Sequence, residues 1–316
     1  MAGLTDVPFR TLAWRFGAGY MVSEMVSSKP ELWDTGKSRS RRVPVPGVEP
    51  AAMQIAGTEP DVMAETARRL VDDGVEVVDL NFGCPAKKVC RKNAGSALLA
   101  DIDLIARIID AVANAVDVPV TAKTRLGLEP GDHKGRAAAK VMQEAGAQML
   151  VIHARSRACR FVGAVDYQSV ADIKKQVQIP VLVNGDITDS ESLTRALALS
   201  GADGAMIGRA AIGQPWLFSE LAGKKSPSLA EKWQVITEHV AAMHEFYGDF
   251  TGVRVARKHM AAYAQHLPFH GVKDFQRLEA PSAQLGWMAN CRERQLSDSQ
   301  PLAVVTSKKQ KLMNVA

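Results

Sequence analysis

The sequence predicts an α/β protein: a TIM (β/α)8 barrel followed by a small all-α C-terminal domain. Three observations predict it. Short apolar runs alternate with helical patterns in repeats of roughly 25–40 residues. Polar residues close many of those runs, namely Glu24, Gln54, Asn81, Lys123, His153, Asn184 and Arg209, and a barrel gathers the C-terminal ends of its strands around one mouth. After about Ala222 the alternation stops and long helical patterns take over.

The expected strands are YMVSEM from Tyr20, AAMQIAG from Ala51, VVDLNFG from Val77 and VPVTAKTRLG from Val118, then MLVIHAR from Met149, IPVLVNGD from Ile179 and GAMIGR from Gly204. They are short, and most are strand-like and apolar enough for buried parallel strands. Between them lie helical patterns. DVMAETARRLVDDG sets Met63, Ala67 and Leu70 on one face and stops at Gly74. LIARIIDAVANAV and ESLTRALALSG follow the same rule. The barrel is one strand short. MAGLTDVPFR reads as the loop and helix start after a strand, so the first strand would lie before Met1. The expectation is a barrel open at that seam, or a chain whose natural start lies upstream. No G-x-G-x-x-G follows the first strands, which weakens a doubly wound dinucleotide fold.

Beyond the barrel, Trp233, Ile236, Val240 and Met243 recur at helical spacing and Gly248 ends that helix. VARKHMAAYAQHL forms the next, and Pro281 is expected to interrupt a later one. The expected domains are a barrel over 1–222, a helical domain over 223–296 and a mobile tail over 297–316.

Composition narrows the function classes. In 316 residues, 47% are hydrophobic and 23% charged, as in an ordinary globular chain. The net charge of +5 leans towards an anionic partner. Cys84, Cys90, Cys159 and Cys291 form no C-x-x-C pair, which argues against a zinc or thioredoxin-type site. Scattered thiols without a signal peptide suggest a reducing compartment, and no apolar run is long enough to span a membrane. A cytoplasmic monomer without metal is the expectation.

Several residues are candidates for chemistry. Asn184-Gly185-Asp186 and Gly208-Arg209 end the last two strands, where barrels often cradle a phosphate with backbone amides. The bland alternative is a pair of ordinary turns. Lys123 and His153 end neighbouring strands. An inward lysine is costly unless it meets an anion or acceptor; a reduced flavin ring would serve, and so would a salt bridge to Asp79. His153 is equally a hydrogen-bonded core histidine, and Gln54 either meets a ring edge or caps its own strand. Cys84 lies on the turn beyond the strand from Val77, between Gly83 and Pro85. A free thiol titrates near about 8.5 and so suits a proton donor better than a nucleophile, although most cysteines are small buried fillers. Three basic clusters follow strands at the same mouth: Lys37, Arg39, Arg41 and Arg42; Lys87, Lys88, Arg91 and Lys92; Arg155, Arg157 and Arg160. Any one is an ordinary solvated surface. Three on loops of one face suggest a polyanion across the opening, with Arg254, Arg257 and Lys258 extending the track.

These segments together resemble the tRNA-dihydrouridine synthases, most closely the bacterial B type, some of them described as nitrogen-regulation proteins. The resemblance rests on MAGLTDVPFR, VSEMVSS, MQIAG, DLNFGCPAKKV, the G-S-A-L-L run from Gly95, K-x-R-x-G at Lys123, IHARSRA, NGDI and MIGRAAIGQPW, in order along nearly the whole barrel, then HEFYG and RVARKH. It implies an enzyme that holds FMN at the barrel mouth, takes hydride from NADPH and reduces a uridine of tRNA to 5,6-dihydrouridine. By the match, Met1, Ala2, Gln54, Lys123, His153, Asn184, Gly185, Asp186, Gly208 and Arg209 would contact FMN. Asn81 would hold the uracil. Cys84 would protonate C5 after flavin N5 delivers hydride to C6. Lys87, Lys88, Arg91, Arg155 and Arg257 would meet tRNA. Two other readings stay open: a flavin barrel acting on free pyrimidines, and a tRNA-binding barrel that has lost flavin activity.

Overall fold

The computed structural model describes residues 1–132, 134–267 and 269–298. Of the tail expected from 297, all but its first two residues lie outside them, and those two end a helix. The described residues form two compact units, one from 1–226 with 258–266 and the other from 227–257 with those between 267 and 298.

The first unit carries one sheet of seven parallel strands in chain order. They are β1 (Val26–Ser27), β2 (Ala52–Ala56), β3 (Val77–Asn81), β4 (Val120–Arg125), β5 (Met149–His153), β6 (Val181–Asn184) and β7 (Gly204–Met206). Helices connect successive strands, which is the TIM-barrel arrangement with seven strands among the described residues. Strands β2 and β3 are buried throughout, as parallel strands covered on both faces must be. The expected strand from Tyr20 is displaced. Val22 makes an isolated bridge to Ala52, and regular pairing begins only at Val26 against Ile55. Between them Ser23 turns its hydroxyl onto the Glu24 carbonyl, and Glu24 is drawn off to Arg41 and to the Gly3 amide.

Helix positions follow the sequence pattern. Pro60–Asp72 buries Met63, Ala64, Thr66, Ala67 and Leu70. Ile102–Ala113 starts at an Asp101 side chain that accepts from the Leu104 amide. Ser190–Ser200 has an Asp189 cap and ends at left-handed Gly201.

In the second unit the helical stretch from Leu229 breaks at Gly248 (φ 72°, ψ 168°), where the sequence placed the end of a helix. Trp233, Ile236, Val240 and Met243 are fully buried. Pro281 does not interrupt a helix; it begins one, Pro281–Asp298. A first-turn N–H has no intrahelical acceptor, so proline loses nothing there. Among the described residues no helix is long and apolar enough to cross a membrane.

Two glycines inside helices predict opposite outcomes for one substitution. A Cβ on Gly135 would lie 2.2 Å from the backbone oxygen of Leu126, whereas one on Gly286 meets open space. Gly135→Ala should lower stability by about 1–3 kcal/mol despite alanine's helix preference. Gly286→Ala should raise it by up to about 1 kcal/mol. Thermal unfolding followed by circular dichroism reads both, and equal signs would refute the packing account.

Candidate active site

The C-terminal ends of β2 to β6 converge on one polar cluster. Side chains alternate across a strand, so Asp79 and Asn81 share a face of β3, as do Thr121, Lys123 and Arg125 on β4. Parallel register then sets Gln54 beside Asp79, Asp79 beside Thr121, and Asn81 beside Lys123. Gln54 Nε2 donates to Asp79 Oδ2 at 2.6 Å, and Thr121 Oγ1 donates to Oδ1 at 2.7 Å. Asn81 Nδ2 donates to Gln54 Oε1 at 2.6 Å. Asn81 Oδ1 accepts the amides of Gly83 at 3.2 Å and Cys84 at 3.0 Å. The asparagine that ends β3 thus holds the turn bearing the thiol.

Other groups pin that turn. Arg125 Nε donates to the Gly83 carbonyl at 2.7 Å, while its Nη1 reaches the carbonyls of Ser156 and Arg160. Ser96 Oγ donates to the Cys84 carbonyl at 2.8 Å. Gly95 (φ 64°) packs so closely that a Cβ there would lie 2.8 Å from the same carbonyl oxygen. Cys84 itself is half-buried.

Lys123 faces Cys84 within electrostatic reach. Its ammonium donates to Asn184 Oδ1 at 3.1 Å rather than to a carboxylate. Burial, then the Arg125 charge, pushes its pKa down to about 8, against the pull of Asp79 and Cys84. Burial pushes the Asp79 carboxyl the other way, upward. His153 is buried, and desolvation with the charges of Lys123, Arg125 and Arg155 drives it far below its usual range, so it is neutral at physiological pH.

The segments after β6 and β7 form a second cluster. Asn184 Nδ2 donates to the Met206 carbonyl at 2.8 Å, and Tyr167 donates to the Gly185 carbonyl at 2.6 Å. A Cβ on Gly185 (φ 138°) would lie 2.9 Å from Val165, whereas one on Gly208 would make an ordinary 3.6 Å contact with Asn184 Nδ2. Asp186 is gripped by Arg155 and accepts from Arg209 Nη2 at 3.0 Å. The Arg155 hydrogen bond, more than any other cause, holds the Asp186 carboxyl below the usual range. Arg209 keeps its outer face exposed. Met1 and Ala2 lie in the loop before the helix Val7–Arg15, and the Met1 amino group sits within electrostatic reach of Glu24 and Lys123.

The basic rim is thinner than its sequence suggests. Lys87, Lys88 and Arg91 are exposed. Arg155 is 3% exposed and spends its guanidinium on Asp186 and the Gly163 carbonyl, so it supports the site from within instead of facing a polyanion. Arg41 turns to the Met25 carbonyl and Glu24. Arg42 turns to Asp73 and the face of Trp33. In the second unit, half-buried Arg257 donates to the Leu278 carbonyl at 2.8 Å. Long side chains with five donors satisfy unpaired carbonyls wherever loops leave them, and a count of charges does not reveal this.

Sequence reasoning passed over Phe161 and the role of Arg125. The Phe161 ring, 48% exposed, stacks on His153 (6.3 Å) and lies 5.5 Å from the Arg125 and 5.3 Å from the Arg209 guanidinium carbons. Two adjacent apolar residues, Phe161 and Val162, in an otherwise polar loop were its only signal.

The sequence matches the family model described as "Dihydrouridine synthase (Dus)" over residues 1–299. Similar proteins named tRNA-dihydrouridine synthase B occur in several bacteria. That of Pseudomonas syringae pv. tomato is 47% identical over 304 residues, covering 93% of this chain and 89% of its own. That of Pseudomonas aeruginosa is 47% identical over 283 residues, covering 87% and 85%. That of Escherichia coli K12 is 46% identical over 296 residues, covering 90% and 92%. A match over nearly the whole chain, on the segments that build this cluster, makes the chain a member of the dihydrouridine synthase family.

Proposed function

We infer that this protein is an FMN-dependent tRNA-dihydrouridine synthase, which reduces a uridine of tRNA to 5,6-dihydrouridine at the expense of NADPH. The observation that carries the reading is that strand register sets the enclosed amine of Lys123 beside Asn81, whose side chain holds the amide of half-buried Cys84. The names of the similar proteins support the substrate.

The residues fit the cofactor. Lys123 is a desolvated cation without a carboxylate hydrogen bond, which suits a ring that gains negative charge on reduction. Gln54 and Asn184 offer hydrogen-bonding edges beside it. Gly185 allows close backbone approach, and the exposed face of Arg209 supplies charge for a phosphate. When bound, FMN supplies the hydride for C6 of the uracil, having received it from NADPH.

The protein's own part is to hold the ring and move one proton. Hydride addition at C6 leaves an electron pair on C5 conjugated with the C4 carbonyl. The Cys84 Sγ–H bond breaks and its proton goes to C5; the thiolate regains a proton from solvent. Asn81 fixes that thiol's turn and keeps one N–H for the uracil. Neutral His153 can donate a hydrogen bond without adding charge. Lys87, Lys88 and Arg91 meet the phosphate backbone, and the target base leaves its stack to enter the mouth.

Cys84→Ala should keep the yellow cofactor and its bleaching by NADPH but lose dihydrouridine formation by about 100-fold or more. Mass spectrometry of tRNA nucleosides reads the product; full activity in the variant, or turnover of free uracil without tRNA, would sink the reading. Lys87→Ala with Lys88→Ala should weaken tRNA binding and flatten its log–log salt slope by about one to two, and an unaltered slope removes this loop from the interface. Lys123→Met should weaken FMN retention and raise apoprotein stability at pH 7 by on the order of 1–3 kcal/mol. The folded-state pKa near 8 lies below the unfolded 10.5. The cost of burying the charge is therefore complete below pH 8 and shrinks as pH climbs towards 10.5. The gap in Tm between variant and wild type should narrow over that window, and a constant gap would contradict the assignment.

A further inference from the structure

The hydrogen bonds through Asp79 have a direction. Thr121, Asp79 and Gln54 are register neighbours on three strands, and with Asn81 all four are at least nine-tenths buried. Asp79 accepts from Thr121 on one oxygen and from Gln54 on the other; burial pushes its carboxyl upward, and these two bonds and then the Lys123 charge oppose that push. A carboxylate only accepts. Gln54 must therefore turn its amino group to Asp79 and its oxygen to Asn81. Asn81 must then turn its amino group to Gln54 and its oxygen to the turn, where the Gly83 and Cys84 amides use both lone pairs. What Asn81 has left for a ring in the mouth is one N–H and no acceptor, while Gln54 keeps one N–H and one lone pair.

We propose that Asp79, which need touch neither cofactor nor base, is a positioning and specificity-determining residue: it holds the polarity of the Gln54–Asn81 amide pair from one end, as the Gly83 and Cys84 amides do from the other, so that Asn81 offers only an N–H and the site admits a pyrimidine presenting a carbonyl oxygen to it and rejects one presenting an amino group, while the same polarity locks the Cys84 turn. The proposal deepens the reading above and rests on it. Uracil offers O4 where cytosine offers an amino group, so two donors would face each other if cytosine entered. The cost of that clash is the cost of a buried unpaired donor. Reversing the pair would also turn the Asn81 amino group against the Gly83 and Cys84 amides.

A cycle of isosteric variants tests the direction of the bonds apart from the charge. In Asp79→Asn the new amide can give its N–H to the Thr121 hydroxyl, which is able to accept, and keep its oxygen towards Gln54. Thr121→Val leaves the carboxylate in place. Each single variant should therefore keep most of the wild-type behaviour, with losses of about threefold or less. Asp79→Asn with Thr121→Val removes that acceptor, so the new amide can turn its N–H to Gln54 and oppose the direction that the Gly83 and Cys84 amides impose from the other end. The double variant, with FMN in excess, should still bleach on NADPH. Its single-turnover formation of dihydrouridine should fall about thirtyfold, and alkylation of Cys84 by iodoacetamide, read on its peptide by mass spectrometry, should change about fivefold. Additive effects, or an Asp79→Asn variant as damaged as the double, would overturn the proposal, the latter because charge would then be what matters. A wild-type protein that makes no dihydrouridine would overturn the functional reading, while the alkylation cycle would still decide the relay.

Discussion

A carboxylate in a barrel interior is costly to bury, and the arrangement around Asp79 is what makes it tolerable here. Each oxygen receives a hydrogen bond from a different neighbouring strand, Gln54 on β2 and Thr121 on β4. Burial raises the carboxyl's pKa, and the two bonds with the Lys123 charge oppose it. The group thus ties three strands together at the level where apolar packing gives way to the polar mouth. Above that level lie the Asn81 side chain, bonded to Gln54, and the Cys84 turn, which Asn81, Arg125 and Ser96 hold together.

The mouth is strongly electropositive. Lys123, Arg125 and Arg155 all lie near His153, and each helps to keep that imidazole neutral. Asp186 offsets part of the charge by holding Arg155 and Arg209. Such a site is destabilising to an empty protein and favourable to an anionic ligand with a phosphate, the usual balance between stability and function. Arg125 adds rigidity. It joins the Gly83 carbonyl to the loop after β5, so one side chain ties together two loops from different strands.

Charge counted along the chain overstated the surface available to a polyanion. Arg41, Arg42 and Arg155 are spoken for by carbonyls, carboxylates and a tryptophan face. The helix Lys87–Cys90, directly after the Cys84 turn, keeps exposed lysines. An exposed basic patch therefore adjoins the Cys84 turn.

Periodicity and local chemistry, both readable residue by residue, were enough to determine the alternation of strands and helices, the glycine stops at Gly74, Gly201 and Gly248, and the placing of Asn81, His153 and Asn184 at strand ends, whereas the strand of Lys123 runs on to Arg125. Spacing by two also set Asp79 with Asn81, and Thr121 with Lys123 and Arg125, on common faces. Pro281 shows the limit of local rules: proline is a breaker inside a helix and a good first residue, and only the fold says which. The tertiary structure alone decided who bonds to whom. Gln54 and Asp79 are 25 residues apart, Asp79 and Thr121 42, and Lys123 and Asn184 61. Such partners are chosen by parallel register between strands, and a slip of one residue would turn every one of these side chains away from the mouth.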